Sequence, residues 1–399
     1  MINKELVFEK TKGLFKGDKV IWMIVAFLTF ISLLVVYSAS ESVANRNYSG
    51  NNAFVLLRHA LMLLLGLVCM LVASRINYKR YSKLLLLLFW ISIPLLVYTL
   101  FFGKNLNHAQ RVIGIAGVTF QTSDLAKIAL IGFLARVLTL RRDKLDDFKE
   151  LAIRVMLPIV LIVGLIFPEN FSTAAMLFMT CIVMMFLSKV KMKYILEFIG
   201  IIVAAGAIFM LVSFVRAKDN RSTTWVNRIE RFFSNGEEED DIANFQVMQS
   251  KIAIAGGGLM GKSPGKSTQR NILPHPYSDF IYAIILEEYG FVGGVLVLAF
   301  YLILLYRATR IMIRAPQSFG ALLAMGLAFS LVMQALVNMG VAVGLFPVTG
   351  QPLPFISMGG TSLLFTGISI GIIISVTKEI DKFKSDERDS EIEVAEADS

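Results

Sequence analysis

Apolar runs about as long as a bilayer is thick recur along nearly the whole chain, near 20–39, 53–74, 83–102, 121–140, 151–168, 171–189, 194–215, 279–306, 318–343 and 359–378. Each approaches the roughly 20 residues that cross hydrocarbon as a helix. Within lipid every backbone N–H and C=O must be bonded internally, so such runs fold as spanning helices. Composition agrees, with 56% hydrophobic and 17% charged residues, where a soluble globular chain carries about 25% charged. The expected fold is an all-α polytopic membrane protein of about ten transmembrane helices. It forms one membrane domain over 19–378, preceded by a short segment (1–18) and followed by an acidic tail (379–399) whose polarity predicts disorder from Ser385 onward.

Basic residues predict the orientation. One set of alternate connections holds Lys4, Lys10, Lys12, Lys16 and Lys19, then Arg75, Lys79, Arg80 and Lys83, and similar groups up to Lys378, Lys382, Lys384 and Arg388. The intervening short connections hold only Arg46, Lys104 and Arg111. Both termini are therefore expected on the cytoplasmic side. The net charge of +9 is accounted for by topology, and no nucleic-acid partner is needed to explain it. Cys69 and Cys181 fall within spans and imply neither a disulfide nor a metal framework.

The one long connection, 216–278, is expected outside the cytoplasm, and a loop of that length is usually functional. Trp225 to Phe233 is amphipathic enough to lie on the membrane surface, and Glu237 to Asp241 reads as a solvated tip. Asp279 sits where this loop enters the next span, wet enough to ionise and close enough to lipid to meet a lipid-linked substrate. Glu287 and Glu288 follow within apolar sequence, where ionisable side chains are costly and usually have a job. The plain alternatives stay open: Asp279 as a first-turn acid capped by Ser278, and the glutamates as partners of basic residues elsewhere.

Gly256 to Ser263 fits G-x-x-x-x-G-K-S, with Lys262 at the lysine position, but lacks the strand-and-helix context that a phosphate loop needs. Its amides and Lys262 are instead candidates for approaching a pyrophosphate. In Gln121-Thr122-Ser123-Asp124-Leu-Ala-Lys127, Asp124 and Lys127 share a helical face and can pair. That pair is either a structural salt bridge or a substrate contact, and Ser123 can serve as N-cap. Arg111 is a natural partner for an anionic headgroup. Pro347 to Ser362 carries three prolines and three glycines, so irregular backbone is expected there, surrounded by protein or a cavity. Thr349, Ser357, Thr361 and Ser362 would supply hydroxyls to it, or the segment is a re-entrant turn with capping roles only. Gln334 and Asn338 read as cross-helix hydrogen-bonding residues.

Three blocks resemble the SEDS proteins (shape, elongation, division and sporulation), and among them the FtsW branch over RodA. These are Gln121 to Lys127, Leu273 to Gly290 and Pro347 to Ser362, with Ala255 to Gly261 fitting as well. The resemblance covers nearly the whole chain. It implies a peptidoglycan glycosyltransferase that polymerises lipid II into glycan strands during cell division and releases undecaprenyl diphosphate. Asp279 matches the family's essential loop acid, with the role of general base or of ligand to a divalent cation (Mg2+ or Mn2+). Gln121, Ser123, Asp124, Lys127, Arg111, Lys262, Ser357, Thr361 and Ser362 would bind substrate. A class B penicillin-binding protein transpeptidase, other division proteins and the undecaprenyl-linked glycan are the implied partners, at the septum of the bacterial inner membrane. Thr122, Asp124 and Val112 depart from the family's proline, glutamate and tryptophan, and Asn170 stands where an acid is common. The alternatives are a lipid II flippase, an elongation-type polymerase and a scaffold without chemistry.

Overall fold

The computed structural model of the chain describes residues 17–40, 52–106, 109–115, 118–216, 242–273, 276–315 and 318–397. The amphipathic stretch from Trp225 to Phe233, the acidic run Glu237 to Asp241 and most of the N-terminal segment lie outside them.

Each of the ten expected apolar runs is helical, the run at 151–168 being shared by two helices, and one further helix lies in the long connection. In order they are α1 (Lys19–Ala39), α2 (Asn52–Arg75), α3 (Tyr78–Phe102), α4 (Thr122–Leu140), α5 (Phe148–Leu151), α6 (Leu157–Ile166), α7 (Phe171–Leu187), α8 (Met192–Arg216), α9 (Ile242–Gly257), α10 (Ile281–Arg314), α11 (Phe319–Ala342) and α12 (Ser362–Ala397). Among the described residues, α1, α2, α3, α10, α11 and the first half of α12 are long and apolar enough to cross a membrane, which makes the chain a multi-pass membrane protein. Between α5 and α6, Ala152–Met156 is π-helical. Pro158 follows, and its ring clashes with the carbonyl four residues back, so a wider turn relieves it.

Burial separates centre from rim. The most apolar stretch of α11 is 72% buried and that of α12 67%, against 28% for α2, α3 and α10. Rim helices turn Phe27, Leu57, Leu64 and Trp90 outward, as lipid-facing surfaces do. Since lipid supplies no hydrophobic drive between helices, close packing has to come from small residues. Gly367 and Gly371 of α12 lie one turn apart against the Gly66 and Met70 carbonyls of α2, where a Cβ would overlap the backbone. At the basic end of the bundle, Asp18 caps α1 through Val20 N (2.9 Å), accepts from Arg307 of α10, and bonds Thr377 of α12 through its own amide (3.2 Å).

Three features differ from the sequence expectation. The connection before α4 is not a plain loop: β1 (Lys104–Leu106), β2 (Ala109–Ile115) and β3 (Val118–Gln121) form an antiparallel sheet, with Val112 opposite Gln121. The long connection is not structureless, because α9 occupies its second half. The C-terminal tail continues as helix to Ala397, since beyond Gly371 the sequence has no glycine or proline and is rich in good helix formers.

Candidate functional site

The first ten residues of α10 are enclosed by protein. Ile281 through Leu286 are all buried, and the outward-facing apolar belt begins only at Phe291, which is 60% exposed. Asp279 precedes this helix. Its N-cap residue is Phe280, without a side-chain cap bond, so Asp279 is neither a first-turn acid nor capped by Ser278. Instead the Ser278 hydroxyl donates to Asp279 Oδ1 at 2.7 Å, and the carboxylate, half-buried, passes close to Gly350.

The segment before α10 is held by the irregular loop between α11 and α12. Ser357 Oγ donates to Ser278 O (2.6 Å) and accepts from Leu353 N (2.7 Å), while Met358 N donates to Tyr277 O (2.9 Å). Ser357 is thus a brace for the residues beside Asp279. Asn338 of α11 donates to Asp279 O (2.9 Å) and Gln351 O (2.7 Å). One turn earlier, Gln334 donates to Pro352 O (2.8 Å) and accepts from Lys127 Nζ (3.4 Å). Both side chains satisfy loop carbonyls as well as bridging helices.

Lys127 and Asp124 pair at 2.8 Å, as their spacing predicted. Asp124 Oδ2 is buried with no hydrogen-bond partner among the described residues. The pair lines a small open cavity of about 30 Å3 together with Gln334, Ser362, Thr366 and Ser369. A buried acceptor beside several hydroxyls suits a polar guest, because leaving it unmet costs about 1–3 kcal/mol. Thr361 is buried next to Ser362. Ser123 is not the N-cap of α4; that position is Gln121, whose Nε2 donates to Ser123 Oγ at 3.0 Å. Arg111 lies on β2, on the sheet that leads into α4, and its side chain is outside the described residues. Asn170 caps α7 through Thr173 N (3.2 Å) and accepts from Gln351 Nε2 (3.3 Å), so the amide at the family's acid position joins the same network.

Lys262 does not point to a waiting anion. Its Nζ donates to Glu287 Oε1 (2.7 Å), and the same carboxylate takes Thr268 N (3.0 Å), Thr268 Oγ1 (2.8 Å), Gln269 N (3.3 Å) and Ser267 Oγ. Glu288 accepts from Ser38 Oγ and Ser267 N. The glycine-rich run has a backbone purpose. At Gly290 (φ 68°, ψ −170°) α10 breaks. The carbonyls of Glu287 and Glu288 then accept from Lys262 N (2.9 Å) and Ser263 N (3.1 Å), and the amides of Phe291 and Val292 donate to Gly258 O (2.9 Å) and Leu259 O (3.3 Å). Cβ atoms at Gly257, Gly261 or Gly290 would overlap the opposing backbone. Four groups orphaned by the break are thereby satisfied, as non-aqueous surroundings require. Sequence alone gives no sign of these partners, nor of Gln351, Ser267 and Thr268.

Among the described residues no three His, Cys, Asp or Glu side chains are grouped to hold a metal. Asp279 brings one carboxylate, which suits a cation that takes its other ligands from phosphate oxygens and water, the usual manner for Mg2+.

Residues 18–382 match the FtsW/RodA/SpoVE family model, described as a cell cycle protein. A probable peptidoglycan glycosyltransferase FtsW of Geobacter sp. (strain M18) is 35% identical over 364 residues, 90% of this chain and 96% of that protein. Stage V sporulation protein E of Bacillus subtilis (strain 168) is 32% identical over 370 residues, 90% of this chain and 97% of that one. A solved chain described as "Structural coordination of polymerization and crosslinking by a peptidoglycan synthase complex" matches with TM-score 0.71 and 24% identity, covering 91% of this chain and 98% of that chain. The crystal structure of Thermus thermophilus rod shape determining protein RodA matches with TM-score 0.65 and 23% identity, covering 92% and 98%. At those identities the two structures speak for the fold alone.

Proposed function

The chain belongs to the FtsW/RodA/SpoVE family of cell cycle proteins, and on that premise we propose that it is a peptidoglycan glycosyltransferase polymerising lipid II during division. The observation that carries the reading is the setting of Asp279. Its carboxylate is half-buried at the entry to α10, on backbone braced by Ser357 and Asn338. A base that serves a lipid-linked sugar needs that combination of partial wetness and fixed position.

In the proposed reaction the acceptor sugar's 4-hydroxyl attacks the donor's anomeric carbon. The new glycosidic C–O bond forms as the bond to the diphosphate oxygen breaks, the hydroxyl proton passes to Asp279, and undecaprenyl diphosphate departs. Lys127, with Asp124 beside it, offers positive charge and hydroxyl-lined space one helical turn along α11 from the residue that holds Asp279. Arg111, Gln121, Ser123, Thr361 and Ser362 are proposed to contact the substrate's polar head. A divalent cation, if bound by Asp279, would supply charge neutralisation to the leaving diphosphate.

The division role follows the FtsW naming of the relatives. A class B penicillin-binding protein is the proposed partner, with other division proteins at the septum. The basic-residue asymmetry supports cytoplasmic termini and an extracytoplasmic Asp279. The test is polymerisation of purified lipid II with and without the partner. Asp279→Asn is expected to fold and bind the partner yet make no glycan; undiminished polymer from that variant sinks the assigned role.

A further inference from the structure

The loop that carries Ser357 to Ser278 contains Phe355, buried at 1% exposure with φ of 62°. In the left-handed region the Cβ of an L-residue crowds its own backbone, and a bulky residue stays there only where its surroundings impose it. Here the imposing groups are identifiable. The carbonyl before Phe355, Pro354 O, accepts from the Tyr301 hydroxyl of α10 at 2.5 Å. The carbonyl of the residue after it, Ile356 O, accepts from the Ser32 hydroxyl of α1 at 2.8 Å. Both hydroxyl-bearing residues are buried.

Ser32 has one hydroxyl proton, and Ile356 O takes it. The 2.8 Å contact between Ser32 Oγ and His59 Nε2 therefore has the imidazole donating. That assigns the Nε2–H tautomer and leaves Nδ1 as a buried acceptor without a partner among the described residues. An imidazole on a membrane span (α2), 1% exposed and half unsatisfied, is expensive, and no role described above uses it.

We propose that His59, Ser32 and Tyr301 are positioning residues, which clamp the carbonyls of the two residues on either side of Phe355, Pro354 and Ile356, and so fix the turn that aligns Ser278 and Asp279. The clamp draws α1, α2 and α10 onto one turn. From there the path runs through Ser357 Oγ to Ser278 O and through Met358 N to Tyr277 O. His59 acts through Ser32, two hydrogen bonds from the loop.

The kinetic part of this inference rests on the polymerase reading, and the structural part does not. The test uses the full-length chain in lipid nanodiscs, with amide exchange over residues 353–358 and steady-state polymerisation of lipid II. Ser32→Ala and Tyr301→Phe each remove a single oxygen. Both are expected to speed exchange at Ile356, Ser357 and Met358 and to lower kcat by about tenfold with KM unchanged, a modest case of what misplacing a catalytic group costs. His59→Phe is expected to do the same, and His59→Gln, which keeps an N–H donor, to restore most of the rate. Wild-type exchange in both Ser32→Ala and Tyr301→Phe overturns the clamp. Faster exchange with unaltered kcat, a loss confined to KM, or His59→Gln as impaired as His59→Phe overturns the positioning role. A wild-type chain that makes no glycan sinks the polymerase reading instead, and exchange alone then decides the clamp.

Discussion

Lys262 and Glu287 form an ion pair at 2.7 Å in which the carboxylate is fully enclosed and the lysine is 34% exposed. The two partners are unequal. Glu287 collects further donors from Ser267, Thr268 and Gln269, so its removal orphans several groups, whereas loss of Lys262 leaves the carboxylate still bonded. Glu287→Ala is expected to cost about 3 kcal/mol, in the range for breaking buried pairs. Lys262→Ala, at a partly wet site, is expected to cost about 1 kcal/mol. Thermal unfolding in detergent measures both. A raised KM for lipid II in Lys262→Ala with an unchanged midpoint would return this lysine to the substrate.

Asn338→Leu keeps the volume close but removes the donor shared by Asp279 O and Gln351 O. Orphaning each carbonyl costs about 1–3 kcal/mol, and the shift in Asp279 is expected to lower kcat by about 100-fold. Polymerisation kinetics on a folded sample decide it.

Asn170→Asp puts a carboxylate on a residue only 4% exposed. It still accepts from Thr173 N and the Gln351 amide, but its desolvation is expected to cost about 1–3 kcal/mol. Asn170→Ala loses the cap, typically about 1 kcal/mol, and leaves Gln351 only Thr173 Oγ1 at 2.9 Å. A comparison of the two unfolding midpoints checks this. A wild-type midpoint in Asn170→Ala would mean that the cap and the amide network contribute nothing.

Gly367→Leu forces α2 and α12 apart where a Cβ already overlaps the Gly66 carbonyl. Overpacking of this kind costs about 1–3 kcal/mol and sometimes more. The expected outcome is a sharp fall in monodisperse protein on size-exclusion chromatography, with Gly164→Leu, whose Cβ meets nothing, as control.

What the sequence disclosed depended on the range of each signal. Helix positions came from apolar length, and the Asp124–Lys127 pair from a three-residue spacing, both local properties. The irregular backbone around Pro352 and Pro354 was equally local. The start of α10 was misplaced by two residues because Ser278 and Asp279 look like a cap and a first-turn acid, whereas their hydrogen bonds point to each other and to a distant loop. The β2 strand holds Val112, Ile113 and Ile115 without regular alternation, in a stretch short enough to pass as a connection. The glycine run matched a phosphate-loop pattern because both uses ask for the same thing, backbone with nothing on Cα. Which backbone it meets lies some 25 positions downstream and leaves no mark in a short window.

The break at Gly290 has a consequence for anyone building hybrids of these proteins. Because residues 258–263 complete the hydrogen bonding of 287–292, the two stretches behave as halves of a single joint. Grafting the long loop of a relative without its matching helix entry would strand four main-chain groups away from water. A chimera should therefore be cut before Gly257 and after Val292, so that donor and recipient never share the seam.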